Sequence, residues 1–444
     1  MSTQPPTAPP ESAVHETPPT RSRWARATTS WKSSLAFHHD FRQLWMGDSV
    51  SQFGVQLVGL AMPVLAVQVL SADAFQMGLL ATFEMLAFLV IGLPAGAWVD
   101  RWRKKRVLIA GDVVRGVVLL TLPAAWLLGV LTIWQLYAVA LIVGAATVFF
   151  DVAYQSYLPD LVPSDRISEG NAKLESTHQV AQIGGPAIGG ALIRVIGAPF
   201  TIAVTAVCML ASTVFVWRIR HVESPPAKAD RRPLKTEIAE GLSFVLKHPL
   251  LVRITACTSI GNLFGGITGA LLVLYALRDL GLSEASLGLV MSAGAIGGLL
   301  GALTVGPVSR WIGEGRTIPL SALAFTPFVA LTPLASVLPP APTLIASMFG
   351  FTYWVVVYNV TQVSFRQRLC PKPLLGRMNA SIRFVVWGTM PIGAFLGGVL
   401  GSQFGIVTAL WVAVAGSAVA ALPVLFSPLI RMRELPRALD EHAA

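Results

Sequence analysis

Seven ionisable residues stand inside otherwise apolar stretches: Asp48, Glu84, Asp112, Arg115, Glu175, His178 and Arg383. A carboxyl group shut away from water is more cheaply held protonated than charged, so a buried acid can take up and release a proton. Glu84 fits that chemistry best, because it lies about nine residues, roughly 13 Å of helix, from the nearer end of its stretch, with no cation close in sequence. Asp48 and Asp112 are the other proton-coupling candidates. Asp112 and Arg115 are three residues apart on one helical face and could instead form a buried charge pair. Asp48 and Glu175 lie about one turn from a helix end, where headgroup exposure is the alternative. For His178 a hydrogen-bonded polar role suits better than a proton relay. All four acids precede residue 200, and of the seven residues only Arg383 follows it.

The elements that hold these residues must be membrane helices. Of 444 residues, 54% are hydrophobic and 13% charged, against about 25% charged in soluble domains. The mean hydropathy of +0.65 agrees. Twelve apolar runs, each near the roughly 20 residues that cross a bilayer, lie between residues 44 and 428. No ten-residue alternating segments of a membrane barrel occur. The expected fold is therefore all-α and integral to the membrane. Residues 1–43, rich in Pro, Thr and Ser at their start, read as a disordered tail. Six helices fill 44–218, a polar linker spans 219–249, six more fill 250–430, and 431–444 form a second tail.

All but four of the 33 Lys and Arg lie in the tails and in alternate loops on one side; the exceptions are Arg115, Arg194, Arg278 and Arg383. That asymmetry puts both termini and the linker in the cytoplasm, in a plasma (inner) membrane. The net charge of +10 thus reflects topology, and no nucleic-acid partner is expected. The two halves also repeat. "DVAYQSYLPDLVP" (151–163) aligns without gaps with "NVTQVSFRQRLCP" (359–371), and the offset of 208 also matches Gly189-Gly190 with Gly397-Gly398. Gly78 and Gly288 are 210 apart. Parallel six-helix repeats are the plan of one large transporter class.

Short motifs carry a closer resemblance. Gly96, Asp100 and Arg101 followed by Lys104-Lys105 resemble the helix 2–3 loop signature of the major facilitator superfamily, with Arg103 where a second glycine is usual. "GPAIGG" (Gly185, Pro186, Gly189, Gly190) resembles the drug–proton antiporter motif, with Ala181 in place of its earlier glycine. "FRQLWMGDSVSQFG" and "EGNAKLEST" resemble the macrolide-efflux and enterobactin-exporter branch. This resemblance implies two parallel-repeat bundles that rock between inward- and outward-open states. It also implies a cytoplasmic latch, with Asp100 on the start of helix 11 near Leu375 and Lys104 on Asp151. Serving topology and lipid headgroups alone is the other role open to the cluster. Facing the acids, the second half offers Asn262, Tyr275, Tyr353, Trp354, Tyr358, Asn359, Gln362, Arg383 and Trp387 as cavity walls, which suit large amphipathic molecules.

The expected function is efflux of a lipophilic or amphipathic small molecule such as a drug or antibiotic. A proton gradient drives it, no cofactor or metal is required, and the transporter works as a monomer. Export of a siderophore or other self-made metabolite, or a lipid or lysolipid flippase, would use the same motifs. No nucleophile–base pair or nucleotide-binding loop argues for an enzyme.

Overall fold

The computed structural model describes residues 34–99, 101–163, 166–223, 234–370 and 375–433. Among these there is no strand. The first half contains α1 (His39–Gln68), α2 (Ala74–Val99), α3 (Lys104–Leu127), α4 (Ile133–Leu161), α5 (Ile167–Ile196) and α6 (Ala198–Trp217). The second contains α7 (Pro249–Leu274), α8 (Glu284–Ile312), α9 (Glu314–Leu334), α10 (Pro340–Leu369), α11 (Leu375–Phe404) and α12 (Ile406–Leu425). α9 breaks at Phe325, just before Pro327, which has no N–H to give to the turn behind it. Eleven of the twelve are long and apolar enough to cross a membrane. α5 is the exception, because Glu169, Lys173, Glu175 and His178 crowd its first turns.

Two one-residue connections show the repeat in the backbone. Gly197 joins α5 to α6 at φ 83°, and Gly405 joins α11 to α12 at φ 85°. They are 208 apart, the offset of the sequence repeat, and only glycine adopts that conformation without strain.

Order begins earlier than the sequence implies. Ser34 Oγ (2.8 Å) and the Leu35 N–H (3.0 Å) donate to the Glu169 carboxylate, which pins the chain ahead of α1 to the start of α5. Within the stretch read as a polar linker there is a helix, Leu234–Lys247. Its Phe244 and Val245 pack into the second half's apolar core beside Leu251 and Ile254.

The halves meet through α2 against α11 and α5 against α8. Both contacts lie toward the face opposite Ser34 and Arg433, the ends of the described chain, and both are glycine crossings. A Cβ on Gly78 would lie 2.7 Å from the Gly398 nitrogen, and one on Gly190 would lie 3.1 Å from the Ala285 Cα. Gly288 likewise abuts the Pro186 carbonyl. These are the residues that the repeat pairs, Gly78 with Gly288 and Gly190 with Gly398. The second helix of each half therefore crosses the fifth helix of the other. One apolar cluster joins both halves here, from Leu60 and Leu80 to Leu271 and Leu287. At the other face, which carries both ends of the described chain, Ser34 and Arg433 (the terminal face), the described clusters stay within single halves. The molecule is sealed at one face and parted at the other.

Candidate functional site

α2 and α11 separate gradually toward the terminal face. Thr82 Oγ1 donates to the Pro391 carbonyl at 3.3 Å, and the Phe88 and Trp387 rings touch at 5.6 Å. Beyond Phe88 the two helices enclose a cavity of about 330 Å³ between the halves. Asp151 and Gln155 of α4 face Asn379, Arg383 and Trp387 of α11 across it, with Gly92 and Gly96 of α2 on its wall. The Arg383 guanidinium stacks over the Trp387 ring, 4.5 Å from its centroid. One wall therefore carries a carboxylate and the other a cation on an aromatic platform.

Behind the first-half wall lies a polar network. Asp48 is 3% exposed and accepts from Gln52 Nε2 at 3.2 Å. The Gln52 oxygen meets His178 Nδ1 at 3.1 Å, so that nitrogen carries the proton and the chain of bonds ties α1 to α5. Asp112 and Arg115 pair directly and are both buried, with Arg115 stacked 4.2 Å from the Phe150 centroid. Asp112 Oδ2 and Arg115 Nε have no partner among the described residues, so the pair is only half satisfied. Glu175 is exposed and accepts from Gln179 at 2.7 Å. Glu84 has no bonded partner among the described residues. It shares a helical face with Met77, Leu80 and Ala87, all buried.

The second-half candidates divide. Arg383 and Trp387 line the cavity, while three expected there are packing residues. Tyr275 is fully buried and donates to the Pro333 carbonyl at 3.1 Å. Tyr358 is held by Thr258 at 2.8 Å, and Gln362 is 3% exposed. Tyr353 accepts from Thr304 at 2.9 Å and meets Trp354 edge-on. Asn262 donates to the Val386 carbonyl, and Asn359 accepts from Gln362. Asn379, Gln155 and Phe88 are cavity residues that sequence reasoning missed. Asn379 stands 208 residues after Asn171, at the offset of the sequence repeat.

Residues 44–390 match the sequence profile of the Major Facilitator Superfamily. That span exceeds three quarters of the chain. The chain belongs to the Major Facilitator Superfamily. It is 27% identical over 349 residues to the multidrug efflux pump Tap of Mycolicibacterium fortuitum, covering 76% of this chain and 83% of that protein. It is 26% identical over 358 residues to the enterobactin exporter EntS of Escherichia coli O1:K1, covering 79% and 83%. Its fold matches a bacterial homologue of the iron transporter ferroportin, solved in an inward-facing state, with TM-score 0.71 at 16% identity over 88% of this chain and 98% of that one. It also matches the nucleoside transporter NupG, TM-score 0.69 at 14% identity over 87% and 98%.

Two superfamily motifs can now be placed. In "GPAIGG", Gly185 and Gly189 press on Gln56 and Leu57 of α1, while Pro186 and Gly190 press on α8. One motif thus packs α5 on two sides at once. The loop motif departs from what its resemblance implies. Lys104 Nζ bonds Asp160 at 2.7 Å and the Ser156 carbonyl at 2.8 Å, not Asp151. α4 runs on to Leu161, which leaves Asp160 at its end and Asp151 more than two turns inside, on the cavity wall. Asp100 lies outside the described residues, and so do the side chains at the start of α11 around Leu375, so the other half of the latch is not visible. Lys105 Nζ binds the Trp217 and Ile219 carbonyls at the end of α6. Glu223 caps α3 by accepting from the Lys104 and Lys105 N–H groups at 2.7 and 2.6 Å.

Proposed function

We propose that this transporter exports a lipophilic or amphipathic small molecule by alternating access, driven by proton antiport, from an inner membrane with both termini in the cytoplasm. What carries the proposal is the pairing of a glycine-sealed face with a cavity that opens toward the terminal face and is walled by Asp151, Arg383 and Trp387. Cations concentrated at the terminal face support placing it in the cytoplasm. The open cavity would then load cargo from inside, as an exporter requires. An aromatic-lined wall with few polar groups suits a greasy, polar-tipped molecule. The relationship to Tap agrees with this.

Proton coupling rests on Glu84, Asp48 and Asp112. Glu84 shares the buried face of α2 and pairs with no cation among the described residues, which favours a neutral carboxyl until water reaches it. Asp48 has a hydrogen-bonded route through Gln52 to His178. Dye and antibiotic uptake into inverted vesicles should require an imposed pH gradient and collapse with an uncoupler. Uptake that ignores the gradient would overturn proton antiport.

A second cargo class has its own support. Arg383 is the one cation among the described residues that line the cavity, and the relationship to EntS supports a self-made metabolite. An anionic siderophore would meet that cation directly. Competition between such a metabolite and a neutral dye, lost in Arg383→Gln for the metabolite alone, would favour this class.

A further inference from the structure

The cluster Arg101–Arg106 divides by direction. Lys104 and Lys105 turn inward and bind Asp160 and the end of α6. Arg101, Arg103 and Arg106 are exposed, and none pairs with a carboxylate among the described residues. All three stand at the mouth of a groove of about 800 Å³ between α3 and α4. Small residues form its floor: Ala110, Gly111, Ala145 and Ala146. Gly111 lets the helices close there, since a Cβ would already touch Phe150 at 3.4 Å. Val114 and Ile142, 40% and 42% exposed, mark its far end on the outer surface of the bundle.

We propose that this groove binds an anionic phospholipid, its phosphate held by Arg101, Arg103 and Arg106 and one acyl chain lying along the alanine floor. The dimensions fit one leaflet. From Arg103 to Val114 is eleven residues, about 16 Å of helix, or half of the roughly 30 Å hydrocarbon core. The charge fits too, because three cations with no carboxylate partner among the described residues converge where a phosphodiester of that leaflet would lie. Trp102 closes the wall by packing on Phe149 at 5.8 Å, and Trp98 stacks on the same ring at 6.0 Å, a pattern suited to the headgroup boundary.

The groove is not a side door for cargo. α4 turns Ile142, Ala145, Ala146 and Phe149 to the groove, but Val148, Asp151, Val152 and Gln155 to the cavity between the halves. These are different stripes of the helix. The bound lipid instead lies against Trp102, just past the end of α2, and against Phe149, on which Trp98 of α2 stacks, while Gly96 of that same helix lines the cavity. Lipid occupancy is thereby placed to bias the position of the α2 end.

Native mass spectrometry of the full-length protein, titrated with dioleoylphosphatidylglycerol or with dioleoylphosphatidylcholine, tests the site. One phosphatidylglycerol should be retained preferentially. Replacing Arg101, Arg103 and Arg106 together by Gln should weaken it on the order of 100-fold, at about a kcal/mol per cation. Ala110→Phe, which fills the exposed floor and keeps every charge, should displace the same lipid. If Ala110→Phe and Ala146→Phe both retain it, the attraction is diffuse and the groove is not the site. Equal retention of phosphatidylcholine, or no change in the triple variant, would equally overturn the proposal. Unchanged elution profiles separate these results from misfolding.

Discussion

Arg115 illustrates how little of its surroundings a buried charge can lose. It is 2% exposed, paired with Asp112 and stacked on Phe150, and its Nε has no partner among the described residues. Removing one member of such a pair leaves the other uncompensated, at about 3–5 kcal/mol, whereas removing both is far milder. Arg115→Met should therefore lower the thermal unfolding midpoint in detergent sharply, and adding Asp112→Asn should recover much of the loss. Additive losses in the double variant would show that the pair is not coupled. Glu84 is tested through transport. Glu84→Gln resembles the protonated form and should still bind cargo, yet lose its acceleration by a pH gradient. Continued gradient-driven accumulation would shift the role to Asp48. The pairing of Asp112 with Arg115 was legible from spacing alone, because three residues apart on a helix means one face. The place of Asp151 was not. It depends on where α4 ends, and the helix continues through Pro159 because tertiary contacts of Tyr157, Leu158 and Leu161 bury its last turns.

At the scale of elements, the repeat preserves a position while reversing its charges. Lys104 at the start of α3 pairs with Asp160 at the end of α4. In the second half Glu314 at the start of α9 pairs with Arg368 at the end of α10, at 2.8 Å. The offsets are 210 and 208, so the two ion pairs are structural counterparts with opposite polarity. What the fold needs there is a bridge between third and fourth helices, in either direction. Both pairs are partly exposed, so each contributes about 1 kcal/mol or less. Arg368→Glu should lower the unfolding midpoint slightly by setting two acids together, and Glu314→Lys in the same chain should restore it. Failure of the second change to rescue the first would mean that Arg368 serves another contact. The helix Leu234–Lys247 shows the limit of apolar runs as a guide. It is amphipathic and embedded among charges, so its only signal is a periodicity that the average hydropathy of the linker conceals. α5 shows the converse, a membrane-fold helix whose polar start is tolerated because α1 and α8 pack beside it.

For the whole molecule, two kinds of glycine separate on the same pair of helices. Gly78 and Gly398 are in contact, and a side chain on Gly78 would meet the Ala394 carbonyl at 2.8 Å. Gly92 and Gly96 have open space, with nothing within 4 Å of an added Cβ, although they face α11 across the cavity. Alternating access requires the seal to part and the cavity to close, so the free glycines mark where α11 must arrive. On that argument Gly96→Leu leaves the present state undisturbed but obstructs its alternative, whereas Gly78→Leu wedges the seal apart. Spin labels at Asn171 and Gln367, both exposed on the terminal face, would report the change in a background with Cys208, Cys257 and Cys370 replaced. Gly96→Leu should show only the longer separation and lose transport while keeping cargo binding from the terminal side. Gly78→Leu should move the population toward the shorter separation. A Gly96→Leu protein that still samples the short distance and transports normally would rule out closure of this cavity as part of the cycle.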